Sequence, residues 1–282
     1  MNALWASADR YVRAAHVRCR HTGAQNAGTL LLLHGLGGDT TQFDPFQPHL
    51  EQLPYDLIVP DMRAHGRTLE TGGPHEFTFR QFSADVMALL RIHSVRRPLI
   101  GVGISMGAGV LAAVSLQEPG LFAGHVFIRP AWEDRASPAN LQAFETIASL
   151  LAAHDIATAA AEFEKSPIFQ AIRDESEDAA ASLMGQFTAP HATHRRLRLA
   201  RMPKSTPVTD MTDLRRLQRP VAVIGTPQDP IHPLSIAESW ASSCGIAPHV
   251  VPPKSAGDDR YITQSAAIIS SLADWARATT AP

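Results

Sequence analysis

Cysteine is scarce in this sequence: Cys19 and Cys244 are the only two among 282 residues. Two cysteines cannot build a disulfide framework, so reduced thiols in a cytoplasmic setting are expected. Long apolar runs are missing as well, and none approaches the roughly 18 residues that a membrane span needs. The N-terminal MNALWASADR has no basic segment leading into an apolar one, so no secretory signal is read there. Charge of one sign is not in excess. The formal net charge of -2 leaves no electrostatic footprint for nucleic acid or an anionic membrane. Internal repeats and low-complexity tracts are also absent. What remains is a chain that is 45% hydrophobic and 18% charged, enough for one large domain or a domain with an insertion.

Six short apolar runs punctuate the chain: Thr29–Gly35, Asp56–Asp61, Pro98–Ser105, His125–Pro130, Pro220–Thr226 and His249–Pro253. They are nearly continuous rather than alternating, as suits strands covered on both faces of a parallel sheet. Helical stretches separate them. Phe77–His93 puts Phe79, Phe82, Val86, Leu89 and Leu90 on one face, and MGAGVLAAVSLQ and TQSAAIISSLADWARA also read as helices. Alternation of this kind predicts an α/β fold with a mainly parallel sheet. Tyr11–Gly23 reads as an antiparallel edge strand or hairpin. One stretch breaks the alternation: residues 133–206 show helical patterns, no strand, and prolines at 138, 167, 190 and 203, with Pro207 just after it. It is read as a helical cap (lid) inserted into a core of residues 1–132 and 207–282. Ligands bind outside the carboxyl ends of such strands, so a cap there would cover the site.

Gly103-Ile-Ser-Met-Gly107 fits G-x-S-x-G, after an apolar strand and before a helix. Glycines allow the sharp turn that lifts a strained serine above a sheet, and the helix N-terminus offers N–H groups to a developing negative charge. Ser105 is therefore the candidate nucleophile; the plainer alternative is a serine capping its own helix. His34-Gly-Leu-Gly-Gly-Asp39 follows an earlier strand, and the N–H groups of Leu36 and Met106 form the candidate oxyanion hole. His34 reads as a hydrogen-bonding anchor. Asp61–Thr68, DMRAHGRT, reads as a loop-anchoring network around Asp61 and Arg63, with His65 as a lesser candidate for substrate contact.

Together, in this order, the motifs H-G-x-G-G, D-x-R-x-H-G-R-T and G-x-S-M-G resemble the α/β-hydrolase superfamily over nearly the whole chain. The resemblance is strongest to capped single-domain serine hydrolases: small esterases, C–C bond hydrolases and haloperoxidase-like enzymes. It implies a mainly parallel sheet flanked by helices, with a helical cap insertion. It also implies serine-dependent hydrolysis of an ester, thioester or activated C–C bond, with no cofactor and no metal. The family's acid follows the next-to-last strand, which points to Asp229 in TPQDPIHP. The family's histidine follows the last strand, but there the loop reads KSAGDD and Asp258 stands in its place. Four accounts remain open. The aspartate is an engineered change. Alternatively, Asp229 and Asp258 share a proton in a lyase, dehydratase or cyclase. Alternatively, the base has moved, with His232 and His65 as candidates, although His232 in its Ile-His-Pro setting reads more as a loop anchor. Finally, the chain is a non-catalytic binding protein on a hydrolase scaffold.

The expected partner is a small-molecule substrate, with no nucleic acid, no membrane and room for a homodimer. Arg129 and Trp132, at the end of the strand before the insertion, are candidates for meeting a substrate carboxylate and walling a pocket; the alternative is that Arg129 pairs with a loop acid and Trp132 packs a hinge. Phe144, Phe163, Phe169 and Phe187 are divided between pocket lining and core, more often core. Arg195, Arg196, Arg198 and Arg201 read mostly as a solvated face, with room for one to reach inward.

Overall fold

The computed structural model describes residues 3–24, 28–69, 72–217, 220–254 and 259–280. The chain opens with helix α1 (Ala3–Ala14), strand β1 (Val17–Arg20) and strand β2 (Gly28–Leu33). A 3-10 turn (Thr40–Phe46) leads into the short α2 (Gln47–Leu50), then β3 (Tyr55–Pro60), α3 (Phe79–Ile92), β4 (Leu99–Ile104), α4 (Met106–Gln117) and β5 (Gly124–Ile128). After an inserted run of helices come β6 (Val221–Gly225), α11 (Leu234–Ser243), β7 (His249–Val250) and α12 (Arg260–Thr280). The inserted helices are α5 (Gln142–Ala153), α6 (Ile156–Glu164), α7 (Pro167–Glu175), α8 (Glu177–Thr188), α9 (Ala192–Arg195) and α10 (Leu197–Arg201).

The described strands form one seven-stranded sheet in the order β1-β3-β2-β4-β5-β6-β7. Only the β1–β3 pair is antiparallel; every other pair is parallel. The continuous apolar runs have a direct cause. Leu31 and Leu33 of β2 join the core beneath α3 and α4, while Leu30 and Leu32 join the core beneath α12. Successive side chains leave a strand on opposite faces, so a strand covered on both is apolar at every position, here as a run of leucines.

Two boundaries differ from the expectation. Tyr11–Ala14 finishes α1 rather than starting a hairpin, because Ala8 and Tyr11 are fully buried and Ala8 packs on Ala84 and Ala88 of α3. The last strand shrinks to His249–Val250, since Pro252 and Pro253 have no N–H for a ladder.

Among the described residues, no strand lies between β5 and β6. Three of the inserted helices begin at a polar side chain that accepts a backbone N–H: Asp155 from Thr158, Ser166 from Phe169 and Ser176 from Ala179. Two arginines fasten the insertion to the 61–68 loop. Arg195 donates to the carbonyls of Gly66 (2.7 Å) and Thr68 (3.1 Å), and Arg198 donates to Ala64 (2.6 Å). Both arginines are buried, so two of the four reach inward where one was expected to, and the loop supplies their carbonyl acceptors.

Candidate functional site

Three neighbouring parallel strands end in strained backbone. Ser105 follows β4 with φ 55°, Arg129 follows β5 with φ 46°, and Gln228 follows β6 with φ 55°. Non-glycine residues in this region cost about 1–3 kcal/mol each and persist only where the surroundings impose them. At Ser105 two glycines impose the turn. A Cβ on Gly107 would sit 2.0 Å from the Leu33 carbonyl oxygen, and one on Gly103 would sit 2.3 Å from the Gly107 carbonyl oxygen. Only glycine lets α4 start this close to the sheet. The Ser105 N–H continues the ladder to the Ile128 carbonyl (2.9 Å), so its position is set by β5 as well as β4. Its side chain caps nothing in α4. Instead the hydroxyl lies 2.9 Å from His232 Nε2.

His232 Nδ1 faces Asp229, at 2.9 Å from Oδ2 and 3.1 Å from Oδ1. A carboxylate can only accept, so Nδ1 carries the proton and Nε2 is free to accept from the serine. Asp229 Oδ1 also takes the backbone N–H groups of Ile231 (3.2 Å) and His232 (3.0 Å), which closes the 229–232 loop on itself. Arg129 Nη1 donates to Oδ2 from the end of β5 at 2.9 Å. The side chains of Asp229 and His232 are 10% and 12% exposed. Burial would raise the Asp229 carboxyl, but His232 and Arg129 outweigh it and hold it far below the usual carboxylate range. Burial pushes the His232 imidazole down; Asp229 opposes that and Arg129 adds to it, so the ring is neutral at neutral pH. A neutral imidazole between a hydroxyl and a carboxylate can take the hydroxyl proton as the oxygen attacks.

Facing the serine is the turn Gly35–Gly38, closed by Gly38 N–H to Gly35 carbonyl (3.0 Å) with Gly37 at φ 77°. Gly35 N–H is taken by Gln42 and Gly37 N–H by His65. The Leu36 N–H has no acceptor among the described residues, and the Met106 N–H, first in α4, has none within its helix. Two histidines brace this turn. His34 accepts the Met62 N–H and donates to Gly35, while His65 accepts the Gly37 N–H and donates to Arg63. Both rings are fully buried, burial lowers both pKa values, and neither has a nitrogen left for a substrate. Asp61 accepts from Thr40 and Arg67, and Arg63 makes a buried two-point pair with Asp85 of α3.

Ser105 opens into a cleft of about 700 Å³, open solvent included. The core contributes Leu36, Ile104, Ile231 and Lys254 to its walls, and the insertion contributes Phe144, Asp178 and Leu183.

A model of the alpha/beta hydrolase family matches residues 30–260. The chain belongs to that family. It is 31% identical over 91 residues to an AB hydrolase superfamily protein of Gibberella zeae, a match covering 32% of this chain and 31% of that protein. The chain thus spans about three tenths of the length of the curated relatives it matches. Among solved structures it is similar to a hydrolase from Pseudomonas aeruginosa PA01 (24% identity, TM-score 0.65, covering 92% of this chain and 94% of that one). It is also similar to MenH from S. aureus (14% identity, TM-score 0.70, covering 93% and 99%). At these identities the structures speak for the alpha/beta hydrolase fold.

Within this alpha/beta hydrolase chain, Ser105, Asp229 and Arg129 converge at the cleft with Leu36, and Met106 follows the serine. Asp258 lies outside the described residues. His232, read as a loop anchor, is corrected: it bridges Ser105 and Asp229. The sequence signal for it was its spacing, three residues after the acid on one strand-end loop. Trp132 is also corrected. It is 1% exposed, packs edge-on against Phe79 at 5.2 Å, and its carbonyl accepts the Trp240 Nε1–H at 2.7 Å, so it is core rather than pocket wall. Of the insertion phenylalanines only Phe144 lines the cleft; Phe163 packs on Phe169 and Phe187. Among the described residues no cluster of His, Cys, Asp or Glu is placed to hold a metal ion, and no helix is long and apolar enough to cross a membrane.

Proposed function

We propose that this chain is a serine hydrolase of carboxylic esters or thioesters, with Ser105 as nucleophile, His232 as base and Asp229 as the acid that orients it. The observation that carries the reading is the 2.9 Å contact from Ser105 Oγ to His232 Nε2, with Nδ1 of the same ring on Asp229. In the first step Ser105 Oγ bonds to the substrate carbonyl carbon while its proton passes to His232 Nε2. The Leu36 and Met106 N–H groups receive the carbonyl oxygen as it becomes an oxyanion. The tetrahedral species then expels the alcohol or thiol, which leaves with the proton from His232, and the acyl group stays on Ser105. Water, deprotonated by the same ring, releases the acid. Residues 133–206 serve as the cap, because Phe144, Asp178 and Leu183 of that segment face the cleft.

The test is labelling with a fluorophosphonate and turnover of p-nitrophenyl esters of increasing chain length. The native chain labels at one site and hydrolyses at least the short esters, and Ser105→Ala abolishes both. A native chain that neither labels nor turns over any ester or thioester would remove the hydrolase reading and favour a ligand-binding role for the same cleft.

A further inference from the structure

We infer that Arg129 is a positioning residue that ties the Asp229 carboxylate, and through it the His232 ring, to the end of β5. This rests on the hydrolase reading above for its consequence in turnover, but not for its consequence in proton binding. The need for such a tie follows from the loop. Acid and base stand three residues apart, and the Ile231 and His232 N–H groups fix the carboxylate relative to its own loop. Those bonds do nothing to fix the pair relative to Ser105, which follows β4. Two side chains anchor the loop elsewhere. Asn140 Nδ2 bridges the Ala131 (3.0 Å) and Ile231 (2.7 Å) carbonyls, holding the backbone. Arg129 holds the carboxylate itself, at 2.9 Å.

Arg129 is built for this task. Its N–H bonds the Ile224 carbonyl at 2.7 Å, its backbone is held at φ 46°, and its guanidinium lies 5.1 Å from the ring centre of Tyr261 on α12. The residue is 9% exposed, so the pair with Asp229 is screened little by solvent. The guanidinium also cancels the charge that the imidazole would otherwise feel. Facing His232 are Asp229 on its own loop, Arg129 from β5, Lys254 after β7 and Ser105 from β4. Asp178 of α8 lies across the cleft, and Tyr261 lies behind the guanidinium. Asp229 raises the proton affinity of the ring, and Arg129 and Lys254 lower it. With Arg129 present, the ring stays neutral, and able to accept a proton, into mildly acidic solution.

The experiment compares the native chain with Arg129→Gln and Arg129→Lys, using NMR titration of the His232 ring protons and the pH profile of kcat/KM on p-nitrophenyl butyrate. In Arg129→Gln the His232 midpoint and the acid limb both move up by about one pH unit. In the same variant kcat falls about 10- to 100-fold with KM nearly constant. Arg129→Lys keeps the charge, so the limb stays in place, while kcat falls about tenfold through the lost planar geometry. A His232 midpoint unmoved in a folded Arg129→Gln variant overturns the proposal. So does an Arg129→Lys variant with native kcat or with a displaced limb, which stands as the test should the Gln variant not fold. A raised KM for an anionic ester with unchanged kcat would make Arg129 a substrate contact and overturn it too. Because the NMR titration needs no turnover, a shifted midpoint in a protein that hydrolyses nothing would sink the hydrolase reading and leave the Arg129 assignment standing.

Discussion

Replacing His232 by alanine removes the proton acceptor 2.9 Å from the Ser105 oxygen, and the described residues offer no substitute. His34 and His65 are the nearby rings braced around the Leu36 turn, and each has both nitrogens in hydrogen bonds to the backbone. Burial keeps them neutral, and recruiting either would break the turn that presents the Leu36 N–H. Loss of the base in a Ser-His-Asp system costs about 10⁴- to 10⁶-fold in turnover, equivalent to about 5–8 kcal/mol of transition-state stabilisation. We expect His232→Ala to lose at least about 10⁴-fold in kcat on p-nitrophenyl acetate at pH 8, with KM changed far less. Melting temperature and circular dichroism should stay close to native, because among the described residues the ring bonds only to Ser105 and Asp229. Asp258→Asn, assayed beside it, should stay within about tenfold of native, since the base position is already filled. The reverse result, a folded Asp258→Asn that is dead and a His232→Ala within tenfold of native, would refute this reasoning and return the chemistry to the loop after β7.

Gly107→Ala places a Cβ 2.0 Å from the Leu33 carbonyl oxygen, a backbone atom that cannot swing away, and should destabilise by about 3 kcal/mol or more in denaturant unfolding; Gly185→Ala on α8, with open space around it, should be neutral or stabilising by about 1 kcal/mol. Arg195→Ala removes two donors to the 61–68 loop and should cost about 1–3 kcal/mol, with faster hydrogen exchange in α9 and α10 before the sheet exchanges. His125 is buried at the start of β5 with neither ring nitrogen bonded among the described residues, and burial pushes its pKa down to about 4. The unfolded chain then takes up a proton between about pH 6.5 and 4 that the folded chain refuses, so stability falls as pH falls through that window, by up to about 3 kcal/mol. His125→Phe should flatten that slope in urea midpoints measured from pH 7 to 4.

The sheet was legible because its signal is local. A strand covered on both faces must be apolar at consecutive positions, and the six runs that show this each overlap a strand of the sheet, five of them buried while the edge strand β7 stays exposed. The elbow was legible for the same reason, since glycines at 103 and 107 flank Ser105 within five residues. Helix α1 was less so, because Tyr11 and Ala8 reveal their burial only when α3 is beside them. The proposed base, His232, was the hardest residue to place. A histidine after the last strand is a positional habit of the family, and Asp258 drew attention because it breaks that habit. Whether an imidazole reaches a serine depends on the direction of a loop, and IHP carries no mark of it.

What the sequence did hold was the spacing Asp229-x-x-His232, and its meaning depends on Gln228 and Arg129. A left-handed Gln228 turns the chain as it leaves β6, so the Asp229 carboxylate folds back onto the N–H groups of residues 231 and 232. That brings the ring of residue 232 alongside its own acid, a contact that a three-residue spacing on an extended loop would not make. Acid and base in this arrangement move as one unit, unlike a pair drawn from two separate loops. Misplacement of the unit would then move both groups off the serine together, which is why a side chain from a different strand, Arg129, is needed to hold it. The same pairing makes a local test possible. Exchanging the two residues, Asp229→His with His232→Asp, keeps composition and charge but should abolish ester turnover, because the carboxylate at position 229 is what both the backbone N–H groups and Arg129 grip. Retained turnover in the exchanged protein would show that the loop accommodates either order and that the grip on position 229 does not set the geometry.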